Sequence, residues 1–168
     1  MKQFYGMSQK GILRDAVKGL VNPQLIILMS NSKQFKAHVE ELQKLYPKVP
    51  SIGCIGMSYD TMVVEEGVGV TAFSEGVDVA VNLLEEVSLM PVKYIKRLED
   101  DVAQIKASSD NTVCIDLCAG NDACVLTTMY SVLGKRNISL VGGTGDGGQV
   151  SVNGKIYEDA VAYALVKN

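Results

Sequence analysis

The chain predicts an α/β fold: internally duplicated βα-hairpin units around a mixed β-sheet with flanking helices. Three observations carry that expectation. Apolar, strand-like runs alternate with amphipathic helical stretches along the chain, the pattern of α/β proteins. Two short glycine motifs, Ile52-Gly53-Cys54-Ile55-Gly56 and Val141-Gly142-Gly143-Thr144-Gly145, each close a strand, helix, strand succession. Gly53 and Gly142 lie 89 positions apart, and the same offset carries Ile26 onto Ile115, Leu28 onto Leu117 and Asn31 onto Gly120 without a gap. A register held over about thirty residues predicts a repeated supersecondary unit. Further on, 66–73 resembles 158–165 at an offset of 92, as a three-residue loop insertion would produce.

The elements follow in order. A strand at about 3–7 leads to Ser8, which reads as the N-cap of a helix with Ile12, Leu13, Ala16, Val17, Leu20 and Val21 on one side, ended by Asn22-Pro23. Strand 24–29 follows. Asn31-Ser32 then opens a helix in which Phe35, Val39, Leu42 and Tyr46 recur at helical spacing, and strand 50–55 carries the first glycine motif. Two alternating β-branched runs, 67–74 and 77–85, flank Glu75-Gly76 and read as a hairpin. Pro91 starts a third helix with Val92, Ile95, Leu98, Val102 and Ile105 on its core face and Lys93, Lys96, Arg97, Glu99 and Asp100 opposite. Ser108-Ser109-Asp110-Asn111 separates a first unit, about 23–88, from a second, about 112–168.

The second unit repeats the pattern as strand 112–118, helix 121–133 with Gly134 as C-cap, and strand 138–142. Between Ala123 and Val132 that helix carries no charge, so the sheet and another domain or subunit, as in a homodimer, are expected to cover it. The chain stops after the counterpart of the strand at 67–74; either the second unit is shorter or this is the leading part of a longer protein, and the latter is the expectation.

Composition narrows the class. At 168 residues the chain suits one domain with a substantial core. Hydrophobic residues at 47% and charged residues at 21% fit an ordinary globular protein rather than a disordered or membrane one. No apolar run approaches the roughly 20 residues of a membrane span, and the first seven residues lack a signal peptide's apolar centre, which predicts a cytoplasmic location. A net charge of −3 with dispersed Lys and Arg argues against nucleic acid as a partner. Cys54, Cys114, Cys118 and Cys124 are expected to be reduced thiols in a packed interior.

Several residues bear on chemistry. Gly143-Thr144-Gly145-Asp146-Gly147-Gly148 matches the dinucleotide spacing G-x-G-x-x-G, yet that fingerprint needs a helix starting at the glycines. Here Gln149 to Lys155 alternates and turns like a hairpin, so a tight turn needing positive φ, or a loop lining a small-molecule pocket, is the better reading. Asp116 interrupts an apolar strand whose alternation groups it with Cys114 and Cys118; it either caps backbone amides of a neighbouring turn or contacts a ligand. Cys114 and Cys118, about 13 Å apart on a strand, cannot share a metal ion. His38, the single histidine, sits beside an apolar stripe and reads as a boundary residue. Ser30-Asn31-Ser32 and Ala119-Gly120-Asn121 occupy equivalent strand-to-helix turns, which serve as N-caps or border a ligand crevice. The candidate ligand-binding set is therefore Ser30, Asn31, Gly53, Cys54, Gly56, Asp116, Asn121, Gly142, Gly143, Thr144, Gly145 and Asp146. No catalytic residue, metal or cofactor is assigned, and the differing chemistry of the two units weights the site toward the second.

Four segments together resemble the N-terminal sensory domain of the FIST family: the run Pro23 to Ser30, Val49-Pro-Ser-Ile-Gly-Cys-Ile-Gly, Val141-Gly-Gly-Thr-Gly, and Val152 through Leu165. Met57-Ser58-Tyr59-Asp60 departs from the family pattern after the first glycine motif. The resemblance implies a cytoplasmic, non-catalytic sensor of amino acids or similar metabolites. It also implies a C-terminal companion domain and an output domain such as a chemotaxis transducer, kinase or cyclic-nucleotide enzyme. Some relatives bind haem, for which His38 alone offers a ligand. The alternatives are a small enzyme using Asp116 and the 142–148 loop, or a ligand-free assembly domain.

Overall fold

A computed structural model describes residues 1–56, 58–59, 63–120 and 122–168. In chain order its elements are β1 (Lys2–Ser8), α1 (Leu13–Ala16), β2 (Pro23–Ser30), α2 (Phe35–Leu45), β3 (Ser51–Ile55), β4 (Ser58–Tyr59), β5 (Val63–Val64), β6 (Val68–Ser74) and β7 (Asp78–Glu85). There follow α3 (Ile95–Gln104), β8 (Thr112–Ala119), α4 (Asp122–Leu133), β9 (Ser139–Thr144), β10 (Asp146–Val152), β11 (Lys155–Glu158) and β12 (Ala160–Lys167). A 3-10 turn, Pro91–Tyr94, leads into α3, and another, Gly134–Arg136, leaves α4.

The α/β class holds, but the single mixed sheet becomes two. One is six-stranded in the order β1-β6-β2-β3-β10-β11; the other is four-stranded, β7-β12-β8-β9; β4 and β5 form a separate short ladder. Each large sheet contains one parallel pair, β2–β3 or β8–β9, bridged by a helix, among antiparallel neighbours. The sheets pack face to face over Leu25, Ile52, Leu83, Leu117 and Val150. Outside the larger sheet, α1 and α2 bury Leu13, Phe35, Val39 and Leu42 against Ile26, Leu28 and Val70. Outside the smaller, α3 and α4 bury Leu98, Val102, Val125 and Met129 against Leu84, Cys114 and Tyr163. The result is four layers, helix, sheet, sheet, helix.

β12 shows why. Val161, Tyr163 and Leu165 face the helices while Ala162, Ala164 and Val166 face the other sheet, and Ala160 through Val166 are all buried. A strand apolar on both faces needs a layer on each side, and its alanines let the second sheet approach closely.

The same requirement overturns the expected hairpin. β6 pairs with β1 and β2, whereas β7 pairs with β12 in the other sheet. Val68, Val70 and Ala72 of β6 need the α1/α2 layer, and Ala80 and Leu84 of β7 need the α3/α4 layer. Glu75 and Gly76, at φ 56° and 74°, turn the chain from one sheet to the other.

The gapless offset meets a related difficulty. Strand partners are kept, Ile26 with Ala72 and Ile115 with Ala164. Faces are not: Ile26 and Leu28 point to the helices, whereas Ile115 and Leu117 point between the sheets. In the parallel pairs Leu28 lies beside Gly53 and Asp116 beside Gly142, so Asp116 occupies the place of Leu28, not Ile27. A shift of one residue exchanges the faces of a strand.

Local corrections are smaller. α1 is one turn long, with Ile12 and Val21 exposed, because Gly19 and Asn22 adopt positive φ, 91° and 46°. Ser8 Oγ accepts the Ile12 N–H at 3.1 Å, one residue before that helix, so it is not the N-cap. After α4 the left-handed residue is Asn137, at φ 52°, rather than Gly134. His38 is buried, not at a boundary: its Nε2–H donates to the Gly11 carbonyl at 2.9 Å and its Nδ1 meets Ser30 Oγ at 2.7 Å. Cys54, Cys114 and Cys118 are buried thiols as expected, whereas Cys124 is exposed on α4.

One buried polar knot ties the helix layer to the smaller sheet. Tyr163 O–H donates to Asp101 Oδ2 at 2.5 Å, and Asn82 Nδ2 donates to the same oxygen at 3.1 Å. Tyr163→Phe removes one of two donors to a buried carboxylate, so a loss of about 1–3 kcal/mol is expected in urea unfolding. A variant as stable as the parent would show that the knot contributes nothing.

Candidate functional site

β3, β8 and β9 end at or beside one loop, which the second glycine motif leads into. β9 ends at Thr144 in the smaller sheet, and β10 begins at Asp146 in the larger. Gly145 makes the crossing. Its N–H donates to the Cys118 carbonyl at 2.9 Å, and a Cβ there would sit 2.9 Å from Cys54 Cβ and 3.0 Å from the Ile55 oxygen. Gly147 and Gly148 follow at φ 68° and 67°, where β10 slips its register against β3 between Asp146 and Val150. The glycines thus meet the positive-φ requirement, and a strand follows them. Without a helix N-terminus there, the dinucleotide spacing has no phosphate cradle of that type.

Around this crossing lies a cavity of about 270 Å³ lined by Asn31, Ser32, Ile55, Gly56, Glu65, Asp146 and Gly147. It brings the end of the first glycine motif, Ile55 and Gly56, together with Asp146 and Gly147, which follow the second. Asn31 builds the wall: its Oδ1 accepts the Gln34 N–H at 3.0 Å, and its Nδ2 donates to the Glu66 and Gly67 carbonyls at 3.0 and 3.2 Å. The Gly56 N–H is likewise committed, to the Ser30 carbonyl at 2.9 Å. Asp146 and Glu65 are exposed and supply the cavity's charge; among the described residues no Lys or Arg lines it. Such a wall favours an ammonium or another cationic donor.

Asp116 stands elsewhere. It faces α4 at 3% exposure, on the same side of β8 as Cys114 and Cys118, with Gly142 packed over it. Burial, with Asp122 adding to it, raises its carboxyl to about 6, against the pull of its own backbone N–H. Asp122 in turn accepts a hydrogen bond from Thr144 Oγ1 at 3.0 Å, so Thr144 belongs to this group.

The candidate set therefore divides. Asn31, Gly56 and Asp146 share the polar cavity, with Gly145 behind it; Asp116, Gly142 and Thr144 gather by α4. Ser30 is buried on His38, and Gly53 has Ser151 Oγ and the Leu28 carbonyl where a Cβ would go. Cys54 lies between the sheets, its thiol raised to about 11 by burial and, less, by Asp146. Gly143 is exposed. Asn121, and Met57 and Asp60 of the departing segment, lie outside the described residues. Glu65 was not anticipated, for it comes from the stretch before β6, where no periodicity or motif marks it.

The family model of the FIST N domain matches residues 24–168. The chain belongs to the FIST N family. FIST N domains are sensory domains of signalling proteins. No curated protein matches the chain. Among the described residues of this FIST N domain, no helix is long and apolar enough to cross a membrane.

Proposed function

We propose that this FIST N domain is a non-catalytic sensor of a small ligand, an amino acid or similar metabolite, held at the crossover loop. The protein is a cytoplasmic signal-transduction protein such as a chemotaxis transducer, with companion and output domains in the same polypeptide. The observation that carries the reading is the polar cavity between the end of the first glycine motif and the residues that follow the second, with Asp146 and Glu65 on its wall. Those carboxylates suit a ligand's ammonium group. One loop joins both sheets through Gly145, so a ligand that grips Asp146 favours one setting of the two sheets, which is what a sensor requires. Asp116, the buried acid an enzyme would employ, faces α4 and lies outside this cavity. Homodimerisation through the outer face of α4, where Leu126 and Tyr130 are 38% and 54% exposed, is the associated proposal, and sedimentation reads it.

A thermal-shift screen of amino acids and carboxylates tests the sensor. A true ligand stabilises by RT ln(1 + [L]/Kd), about 2.7 kcal/mol at a hundredfold excess over Kd. Amino acids are expected to raise the melting temperature, carboxylates lacking an amino group are not, and Asp146→Ala removes the shift. Turnover of a screened compound without any shift would contradict the reading.

A further inference from the structure

We propose a second binding site, for a small neutral apolar molecule, in the open end of the sandwich between the two sheets. Over most of their contact the sheets are closed by interlocked side chains such as Ile52, Leu83 and Ala162. Toward β1, β6 and β9 they part, and a cavity of about 330 Å³ opens between them. Its floor is buried core: Ile27, Phe73 and Leu117 are 8%, 8% and 5% exposed. Its rim is open, with Met29 at 37%, Tyr5 at 49% and Val141 at 59%.

The sequence explains the gap. Stacked sheets stand about 10 Å apart, and inward side chains fill that space. Where β9 should contribute its share it offers Val141 and then, next on the same face and opposite Leu117, Gly143, whose missing side chain leaves the layer unfilled: nothing lies within 4 Å of where its Cβ would stand. Protein interiors leave few voids larger than a water molecule. This one reaches the lower end of the roughly 300–1,000 Å³ typical of small-molecule sites.

The lining sets the ligand's chemistry. Among the described lining residues none is charged, so an ion entering would lose its hydration without compensation. Two walls from different sheets and a buried floor fit a ring or a short alkyl chain inserted between layers, which the convex surface of a folded partner does not reach. Val141 and Gly142 lie on β9, which runs directly into the crossover loop, so an occupant that braces β9 acts on the loop that lines the polar cavity.

Calorimetric titration of the whole chain with 1-octanol, beside octanoate as the charged counterpart, tests this site. Saturable binding of 1-octanol is expected, with octanoate at least tenfold weaker. Val141→Trp, a change at the exposed rim that plugs the mouth, should weaken 1-octanol at least tenfold, and Ile115→Phe should do the same from the wall. Asp146→Ala should leave it unchanged, which separates this site from the polar cavity. Absence of saturation, equal affinity for octanoate, or indifference to both plugging variants would overturn the proposal. So would a dimer in sedimentation that Val141→Trp dissociates while 1-octanol fails to bind.

Discussion

Gly142→Ala is expected to cost about 3 kcal/mol or more in chemical unfolding, at the upper end for a single added methyl group. A Cβ at that position would overlap the Asp116 carbonyl oxygen and its Oδ1, and the nearest of these, at 1.9 Å, is backbone. Flexible side chains swing aside at little cost; a paired strand does not. Gly142 lies opposite Asp116 in the parallel β8–β9 ladder, so relief requires β9 to lift from β8 and pull the crossover loop with it. Gly134→Ala is the control: nothing lies within 4 Å of its Cβ, so it should be neutral or slightly stabilising. A Gly142→Ala protein within about 1 kcal/mol of the parent would mean that β9 is not held as described.

Asp116→Asn should produce the second large effect, one that depends on pH. Folding raises the Asp116 carboxyl from 3.8 to about 6, chiefly by burial. Between those values the folded protein binds the proton more fully than the unfolded chain, so stability falls as pH rises through that window and levels off above it. Asparagine carries no charge and escapes the loss. The stability of Asp116→Asn relative to the parent should therefore increase by about 2 kcal/mol between pH 4 and pH 7, a figure below the full shift because part of the loss already lies below pH 4. Urea unfolding at steps across that range gives the difference directly. Parallel curves for the two proteins would show that Asp116 is not a strained carboxylate.

Local order was legible in the sequence. β1, β2, β3, β8 and the helices α2, α3 and α4 fall within a few residues of where periodicity, Pro91 and the Asn31 turn place them. The β10–β11 hairpin through Asn153 and Gly154 was also readable, since both residues take the positive φ, 48° and 81°, that the turn demands. Sheet membership was not. Val68–Ser74 and Asp78–Glu85 around Glu75-Gly76 satisfy every local rule for a hairpin. Their separation follows from which helices cover them, a long-range fact absent from either segment. The face inversion of Ile26 and Ile115 has the same origin, because an offset in sequence does not say which side of a strand meets the partner layer.

At the crossover loop, the need for glycine was readable from the sequence, since Gly147 and Gly148 take positive φ and Gly145 passes close to Cys54 and Ile55. The split between the polar cavity and the Asp116 group was not, because Asp116 lies on β8 of the smaller sheet and Asp146 on β10 of the larger, a division that is absent from either local segment. His38 and Asp101 escaped notice as buried polar residues, since their partners Gly11, Ser30, Asn82 and Tyr163 are distant in sequence or on other elements.

The central claim is that a small ligand binds at the crossover loop and is not transformed there. Amide chemical-shift mapping of the labelled protein, titrated with the amino acid that gives the largest thermal shift, addresses it most directly. The amides of Ser32, Gly56, Asp146 and Gly147 should move in saturable fashion, those of α3 should not, and the amino acid should be recovered unchanged. Shifts confined to α3 or the outer face of α4, or conversion of the amino acid during the titration, would contradict the account.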